Sequence, residues 1–227
     1  MNAISSPLFH RVLKPRRPTG QPSPTMIFLH GRGADEEDLP GLAGYLDERL
    51  LCISVRAPFP FSQGGGYTWY DSGEKGEPEP LMFRSSCGKL SQFMDEVLLQ
   101  YPADPANIFL LGFSMGTVMS YSIALTRPEI VRGVAANSGY IPENTHLVFQ
   151  WKRLGTVSFC ISHGTYDQVI PVEYGRRSRD LLEQNNATVR YREYPMAHEI
   201  SEASISEIAS WLDSRLAQTQ EAGHARP

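Results

Sequence analysis

The chain has 227 residues, of which 20% are charged and 41% are hydrophobic, and its formal net charge at pH 7 is −4. This length is enough for one well-buried core, so we expect a single domain. Acidic and basic residues are interspersed, which argues against a nucleic-acid surface. Neither a signal-peptide core nor a membrane-length apolar run is present, which predicts a cytoplasmic protein with no integral membrane segment.

The first predicted elements come from short apolar runs. Residues 8–13 alternate and predict an edge strand, which a proline-rich turn follows. The run over residues 25–29 predicts a strand buried on both faces, and residues 51–55 predict the next one. Between them, residues 35–49 predict a helix with leucines along one side. A long irregular region over residues 57–80 then carries many glycines, prolines and aromatic side chains.

The later elements continue the alternation, with helices over residues 83–101, 115–125, 172–185 and 200–216, and strands over residues 107–111, 131–136, 157–161 and 188–194. This alternation predicts an α/β fold, a mostly parallel sheet with helices on both faces. The connections leave no room for a separate cap domain. We expect residues 1–24 to form the edge strand and turn, residues 25–217 the domain, and residues 218–227 a polar tail.

The motif Gly112-Phe113-Ser114-Met115-Gly116 joins a predicted strand to a predicted helix. Reversing the chain there within about one residue strains Ser114 and holds its hydroxyl clear of the sheet. The two glycines lack a Cβ and allow the strand and helix to approach closely. The motif therefore predicts a nucleophile elbow with the Met115 N–H as one oxyanion donor. A glycine-rich turn with an incidental serine is the alternative.

A nucleophilic serine needs a histidine base and a carboxylate that orients it. Asp167 follows the strand predicted over residues 157–161, and His198 follows the strand over residues 188–194. Taken alone, Asp167 could cap the next helix and His198 could be a surface histidine. The order serine, acid, histidine, with each residue at a strand end, favours a catalytic triad.

Two further histidines, His30 and His163, each precede a glycine directly after an apolar strand. We interpret both as structural, with imidazoles that hydrogen-bond loop backbone, rather than as catalytic groups. The loop that begins at His30 occupies the position of the loop that supplies a second oxyanion donor. We expect that donor to be the Arg32 N–H.

Several spaced motifs resemble one family: Phe-Leu-His-Gly-Arg-Gly-Ala-Asp at residues 28–35, Trp-Tyr-Asp at 69–71, the serine motif at 112–116, His-Gly-Thr-Tyr-Asp-Gln-Val-Ile-Pro at 163–171 and His-Glu-Ile at 198–200. Together they resemble the phospholipase/carboxylesterase family of small α/β-hydrolases, which includes acyl-protein thioesterases. The resemblance runs from residue 25 to residue 216. The pattern is more similar to the bacterial carboxylesterase branch than to the eukaryotic thioesterases, which usually have an apolar residue in place of Arg32 and Gln in place of Met115.

The resemblance implies an α/β-hydrolase fold and a serine esterase without metal or other cofactor. It places Ser114, Asp167 and His198 in the triad and implies short to medium acyl esters as substrates, with thioesters and lysophospholipids also open. A non-catalytic ligand-binding homologue would normally lack a triad residue. A peptidase or an acyltransferase would use the same triad. The expected partner is a small acyl ester, and a homodimer is left open.

The irregular region and the start of the next helix supply candidates for an acyl pocket. Aromatic side chains in a long loop need a ligand or a packing surface, which argues against disorder. The candidate pocket residues are Phe59, Phe61, Tyr67, Trp69, Leu81 and Met82. A satellite core beneath the loop is an equally favoured alternative.

Overall fold

The computed structural model describes residues 6–20, 22–73 and 77–224, with residues 219–224 as backbone alone. Its strands are β1 (His10–Leu13), β2 (Ser23–Leu29), β3 (Leu51–Val55), β4 (Phe59–Pro60), β5 (Tyr67–Thr68), β6 (Ala103–Phe113), β7 (Gly133–Asn137), β8 (Ser158–Gly164) and β9 (Thr188–Tyr194). Seven of them form one sheet in the order β1-β3-β2-β6-β7-β8-β9, while β4 and β5 form a separate hairpin. Only the β1–β3 pair in the large sheet is antiparallel, so the predicted mostly parallel sheet is confirmed.

In the described part of the chain, four α-helices cover the sheet: α1 (Pro80–Gln100), α2 (Met115–Thr126), α3 (Val172–Gln184) and α4 (Glu202–His224). Side chains of α1, α2 and α3 pack on one face of the sheet, and those of α4 pack on the other. Consecutive residues of β2 alternate between these faces, so that Ile27 joins the first core and Phe28 joins the second. Both faces of the central strands are therefore buried, which explains why their sequences read as continuous apolar runs.

The helix predicted over residues 35–49 is wrong. The structure has only a 3-10 helix at Pro40–Tyr45 in this segment. Pro40 removes a backbone donor, and the two glycines that follow, Gly41 and Gly44, lower the helix propensity further. The leucines that suggested the helix are nevertheless largely buried, because they pack with α4 against the sheet. The spacing of the leucines therefore predicted correctly that these side chains are buried, but it predicted the wrong backbone structure.

Several element boundaries also differ from the prediction. Helix α1 begins at Pro80 rather than at residue 83, and the Glu79 side chain caps it by accepting from the N–H groups of Leu81 and Met82, at 3.1 and 2.7 Å. Strand β2 begins at Ser23, before the domain boundary expected at residue 25. Helix α4 continues to His224, so residues 218–224, predicted as a polar tail, extend the helix, and residues 225–227 lie outside the described chain.

Cys52, Cys87 and Cys160 are free cysteines. Burial raises the pKa of each thiol to about 12, which keeps these side chains protonated and unreactive. Within the described ranges, none of the helices combines the length and the apolar character needed to cross a bilayer.

Candidate active site

The candidate nucleophile Ser114 lies between β6 and α2 in a strained backbone conformation, with φ 55° and ψ −119°. Positive φ is costly for a residue with a side chain, so surrounding contacts must hold it. One such contact is the Ser114 N–H, which donates to the carbonyl oxygen of Asn137 at the end of β7 over 3.0 Å. The backbone at Ser114 has the geometry that the elbow motif predicts.

The two glycines of the motif permit backbone contacts that no other residue would allow. A Cβ on Gly112 would lie 2.5 Å from the backbone nitrogen of Thr117 in α2. A Cβ on Gly116 would overlap the carbonyl oxygen of Leu29, at the end of β2. Strand and helix therefore approach each other as closely as backbone atoms allow, and this fixes Ser114 at the edge of the sheet.

Asp167 and His198, at the ends of β8 and β9, form a hydrogen-bonded pair. The two side chains meet at 2.7 Å between His198 Nδ1 and Asp167 Oδ2. The other carboxylate oxygen, Oδ1, accepts from the backbone N–H groups of Val169 and Ile170, at 2.9 and 2.8 Å. The Asp167 side chain is fully buried. Burial alone would raise its pKa, but the hydrogen bonds from His198 and the two N–H groups outweigh this effect and lower the pKa below its ordinary value.

An ionised Asp167 can only accept a hydrogen bond, so His198 must donate from Nδ1. This leaves Nε2 of His198 as the nitrogen with a free lone pair. Ser114 and His198 line the same cavity, whose volume is about 600 Å³. The imidazole packs against Phe113, with ring centroids 4.9 Å apart. The three candidate triad residues thus follow β6, β8 and β9, three parallel strands whose carboxyl ends lie at the same edge of the sheet.

The two candidate oxyanion donors lie on the wall of this cavity. Met115 is the first residue of α2, so its N–H has no acceptor within the helix and lies at the positive end of the helix dipole. Arg32 lies in the loop after β2. In this loop the Gly33 N–H donates to the carbonyl oxygen of Tyr67 over 2.8 Å, which anchors the turn to β5.

His30 fixes the start of the same loop from a fully buried position. Its Nε2 accepts from the Ala57 N–H at 3.0 Å, and its Nδ1 donates to the Gly31 carbonyl oxygen at 2.6 Å. The Trp69 indole N–H donates to the His30 carbonyl oxygen at 2.9 Å. Burial lowers the pKa of His30, which keeps the imidazole neutral and able to accept from Ala57. These contacts are of the structural kind that the sequence predicts.

Buried neutral His30 should make the protein less stable as the pH falls below about 6.5. In the unfolded chain this imidazole binds a proton with its ordinary pKa, whereas folding lowers the pKa. Between the two values the unfolded state binds more protons, so stability falls as the pH falls through that window. We expect the urea midpoint to drop between pH 7 and pH 5.5, and to drop less in His30→Gln. The exposed histidine variant His146→Gln should show the full drop, and an equal drop in all three proteins would refute this role.

His163 lies behind the acid of the pair. Its Nε2 donates to the carbonyl oxygen of Ile170 over 2.8 Å and lies 3.5 Å from Asp167 Oδ2. The imidazole is completely buried, and burial lowers its pKa. A Cβ on Gly175 would lie 2.6 Å from His163 Nδ1, so α3 packs directly on the ring. His163 therefore fixes the turn that carries Asp167, in agreement with the predicted structural role.

The predicted acyl-pocket residues lie elsewhere. The six candidates are Phe59, Phe61, Tyr67, Trp69, Leu81 and Met82. None of them lines the cavity that contains Ser114. Trp69 is fully buried beneath the His30 loop, and Leu81 is 76% exposed on the first turn of α1. Tyr67 packs on the Arg56 guanidinium, 4.5 Å from the ring centroid. Trp69 and Tyr67 thus pack with the core beneath the long loop, as the satellite-core alternative predicts.

Other side chains, which were not predicted from the sequence, form the cavity wall near Ser114. They are Tyr70, Phe113, Val118, Tyr140, Val169 and Ile170. Two signals could have identified some of them. Tyr140 follows the end of β7, where a parallel sheet places its site, and Val169 and Ile170 belong to the motif that carries Asp167.

Fold and site together define an α/β-hydrolase: a mostly parallel sheet carries a strained serine, an acid and a histidine in that order at its carboxyl edge. The model of the phospholipase/carboxylesterase family matches residues 11–216. The chain therefore belongs to the phospholipase/carboxylesterase family of hydrolases, and the family predicted from the motifs is confirmed.

Among curated relatives, acyl-protein thioesterase 1 of Mycosarcoma maydis is 28% identical over 228 residues, which cover 89% of this chain and 95% of that protein. A probable carboxylesterase of Arabidopsis thaliana, SOBER1-like, is 30% identical over 115 residues, which cover 50% of this chain and 44% of the relative. The match therefore spans less than half the length of this plant protein.

Solved structures of bacterial carboxylesterases share the fold. The enzyme from Mesorhizobium loti superposes with a TM-score of 0.82 at 20% identity, over 93% of this chain and 97% of that one. The enzyme from Bacillus cereus superposes with a TM-score of 0.79 at 22% identity, over 92% and 94% of the two chains. At these identities the likeness shows the fold alone, and no separate cap domain is evident in the described part of the chain.

Proposed function

We propose that this protein is a serine carboxylesterase that hydrolyses short to medium acyl esters through an acyl-enzyme on Ser114. One observation carries the proposal: a buried, ionised Asp167 holds His198 by Nδ1 beside the cavity that contains a serine with φ 55°. This pairing leaves the basic Nε2 for the serine proton. The carboxylesterases and thioesterases among the relatives support the same reaction class.

In the first half-reaction, His198 Nε2 takes the Ser114 hydroxyl proton as Oγ bonds to the carbonyl carbon. The oxygen that becomes negative accepts hydrogen bonds from the N–H groups of Arg32 and Met115. When this intermediate collapses, the bond to the alcohol oxygen breaks and His198 returns the proton to the departing alcohol. Asp167 stays ionised throughout and stabilises the imidazolium.

In the second half-reaction, water takes the place of the alcohol. His198 accepts a proton from the water as its oxygen bonds to the acyl carbon, and the intermediate collapses with release of the carboxylic acid. The proton returns to Oγ of Ser114, which restores the free enzyme. The same steps would cleave a thioester, because only the leaving atom differs.

The space beside Ser114 suits a small two-part substrate. A second cavity, of about 720 Å³, shares Tyr140, Val169 and Ile170 with the cavity of Ser114. The shared walls offer apolar contact for an acyl chain or an alcohol group, and the two tyrosines Tyr70 and Tyr140 add polar groups. The two cavities therefore have room for a short to medium acyl group and its alcohol.

Covalent labelling of the nucleophile tests the proposal. A fluorophosphonate, which phosphonylates activated serines, should add one group to the wild-type protein, and peptide mass spectrometry should locate it on Ser114. Turnover of p-nitrophenyl esters from acetate to decanoate should disappear in the labelled protein. Ser114→Ala should take up no label. Ser122→Ala is the matched control and should label fully, since this hydroxyl is buried and bonded to the Val118 carbonyl oxygen at 2.8 Å.

Two results would refute the proposal. If the label were found on a residue other than Ser114, Ser114 would not be the nucleophile. If the protein showed neither label nor turnover, a non-catalytic ligand-binding homologue would be favoured. Release of free carboxylic acid in stoichiometric yield would separate hydrolysis from acyl transfer to another acceptor.

A further inference from the structure

The Arg32 side chain is a charged group that the proposed mechanism does not use. The mechanism needs only its backbone N–H, yet the residue also contributes to the wall of the cavity that contains Ser114. Its Nη2 donates to the Ser72 hydroxyl, and its guanidinium lies 5.9 Å from the centroid of the Phe61 ring. Within residues 6–20, 22–73 and 77–218, no carboxylate forms an ion pair with it.

Several arginines outside the cavity form ion pairs with acids. Arg56 pairs with Glu36, Arg127 pairs with Asp95 at 2.7 Å, and Arg177 pairs with Glu143 at 2.9 Å. A guanidinium carries five N–H donors, and Arg32 uses one of them on a neutral hydroxyl. Among the described residues, the remaining donors have no partner and could bind a ligand at the cavity.

Among the described residues, the groups near Arg32 form no ion pair with it. Tyr70 and Tyr140 line the same cavity; burial raises the pKa of both phenols, an effect that the nearby Arg32 charge opposes, and both stay neutral. Asp38 also lines the cavity, and desolvation raises its pKa. Glu77 lies close enough to Tyr140 to act on its pKa. Neither carboxylate forms an ion pair with Arg32.

We infer that Arg32 selects esters that carry a carboxylate near the scissile bond. The planar guanidinium can grip a carboxylate through two parallel N–H···O bonds, which a neutral substrate cannot form. The Ser72 hydroxyl holds one nitrogen and so orients the rest of the group. This inference rests on the proposed function, because the carboxylate must be held while Ser114 attacks the ester beside it.

Two matched substrate pairs test the inference. The first pair places the anion on the acyl side: the p-nitrophenyl half-ester of glutaric acid and its methyl-capped neutral analogue. The second places it on the alcohol side: 4-acetoxybenzoate and its methyl ester. For each pair the measured quantity is the ratio of kcat/KM for the anionic ester to kcat/KM for the neutral ester, after subtraction of hydrolysis in buffer. Comparing ratios cancels any effect of a variant on the oxyanion loop.

Arg32→Gln should lower the ratio for at least one pair on the order of 10- to 100-fold, the range expected for losing hydrogen bonds to a charged group. Glutamine keeps a donor for Ser72, so a merely structural role for Arg32 would leave the ratio unchanged. Arg32→Lys should give an intermediate ratio, because lysine keeps the charge but not the planar fork. The pair that responds identifies the side of the ester that carries the anion.

Arg176→Gln is the matched control. This surface arginine pairs with Glu193 at 2.7 Å, and its loss should leave both ratios within about twofold of the wild type. If the ratio fell equally in Arg32→Gln and Arg176→Gln, the preference would come from the overall electrostatic field of the protein, and the inference would be overturned. Ser114-dependent turnover with no dependence of either ratio on Arg32 would overturn it while the proposed function stands. No turnover of any of the four esters would overturn the proposed function, and the inference with it.

Discussion

The Asp167→Asn variant is expected to fold like the parent protein and to hydrolyse esters about 10⁴-fold more slowly, as other serine hydrolases do when this carboxylate becomes an amide. Oδ1 of Asp167 accepts from two backbone N–H groups, so the amide oxygen of asparagine must take that position. The amide nitrogen then faces His198 Nδ1, which must become an acceptor. The imidazole proton moves to Nε2, and His198 can no longer take the proton of Ser114.

Steady-state kinetics on a p-nitrophenyl ester would measure the effect, with circular dichroism and thermal unfolding to confirm the fold. Asp95→Asn is the matched control, because this exposed carboxylate pairs with Arg127 on the surface. Its activity should stay within about twofold of the wild type. If Asp167→Asn kept more than a tenth of the activity, Asp167 would not be the group that sets the tautomer of His198.

The candidate triad could be predicted from the sequence because each member follows a readable strand. Ser114 comes directly after β6, and Asp167 and His198 lie in the turns that follow β8 and β9, and parallel strands end at the same edge of the sheet. The strain at Ser114 could be predicted for a related reason. Only a sharp reversal, flanked by residues without a Cβ, connects such a strand to such a helix.

The cavity walls could not be predicted in the same way. Trp69 and Tyr70 are neighbours in sequence, yet Trp69 supports the His30 loop while Tyr70 lines the cavity. Both are buried, so burial gives no means of telling them apart. Their roles depend on how the long loop crosses the carboxyl edge of the sheet, and this path is set by tertiary contacts such as the bond from Gly33 to Tyr67.

The segment over residues 35–49 shows a similar limit. Its leucines face the core, and an amphipathic helix is one way to bury such a pattern. A short 3-10 helix flanked by turns buries nearly the same side chains, since α4 and the sheet provide the surface on which they pack. Pro40 and the glycines after it were the local signals against a regular helix, and they carried more weight than the apolar spacing.

The Gly116→Ala variant is expected to lose about 4 kcal/mol or more of unfolding free energy, or to fail to fold, because overpacking against rigid backbone is among the costliest single changes. The added methyl group would overlap the carbonyl oxygen of Leu29 and lie 2.8 Å from that of His30. Neither atom belongs to a flexible side chain. Relief requires α2 to move away from β2, and this movement would also shift Ser114 and the Met115 N–H.

Gly88→Ala is the matched control, since this glycine lies in α1 with no atom within 4 Å of an added Cβ. Alanine there should stabilise the protein by about 0.5–1 kcal/mol, the ordinary gain from replacing an exposed helical glycine. Urea denaturation of both variants gives the two free energies on one scale. At the elbow, α2, the neighbouring strands and Ser114 meet without spare volume. The unfolding free energy of the protein and the esterase activity should therefore fall together in Gly116→Ala. A stable Gly116→Ala protein with full activity would mean that α2 can withdraw without displacing Ser114.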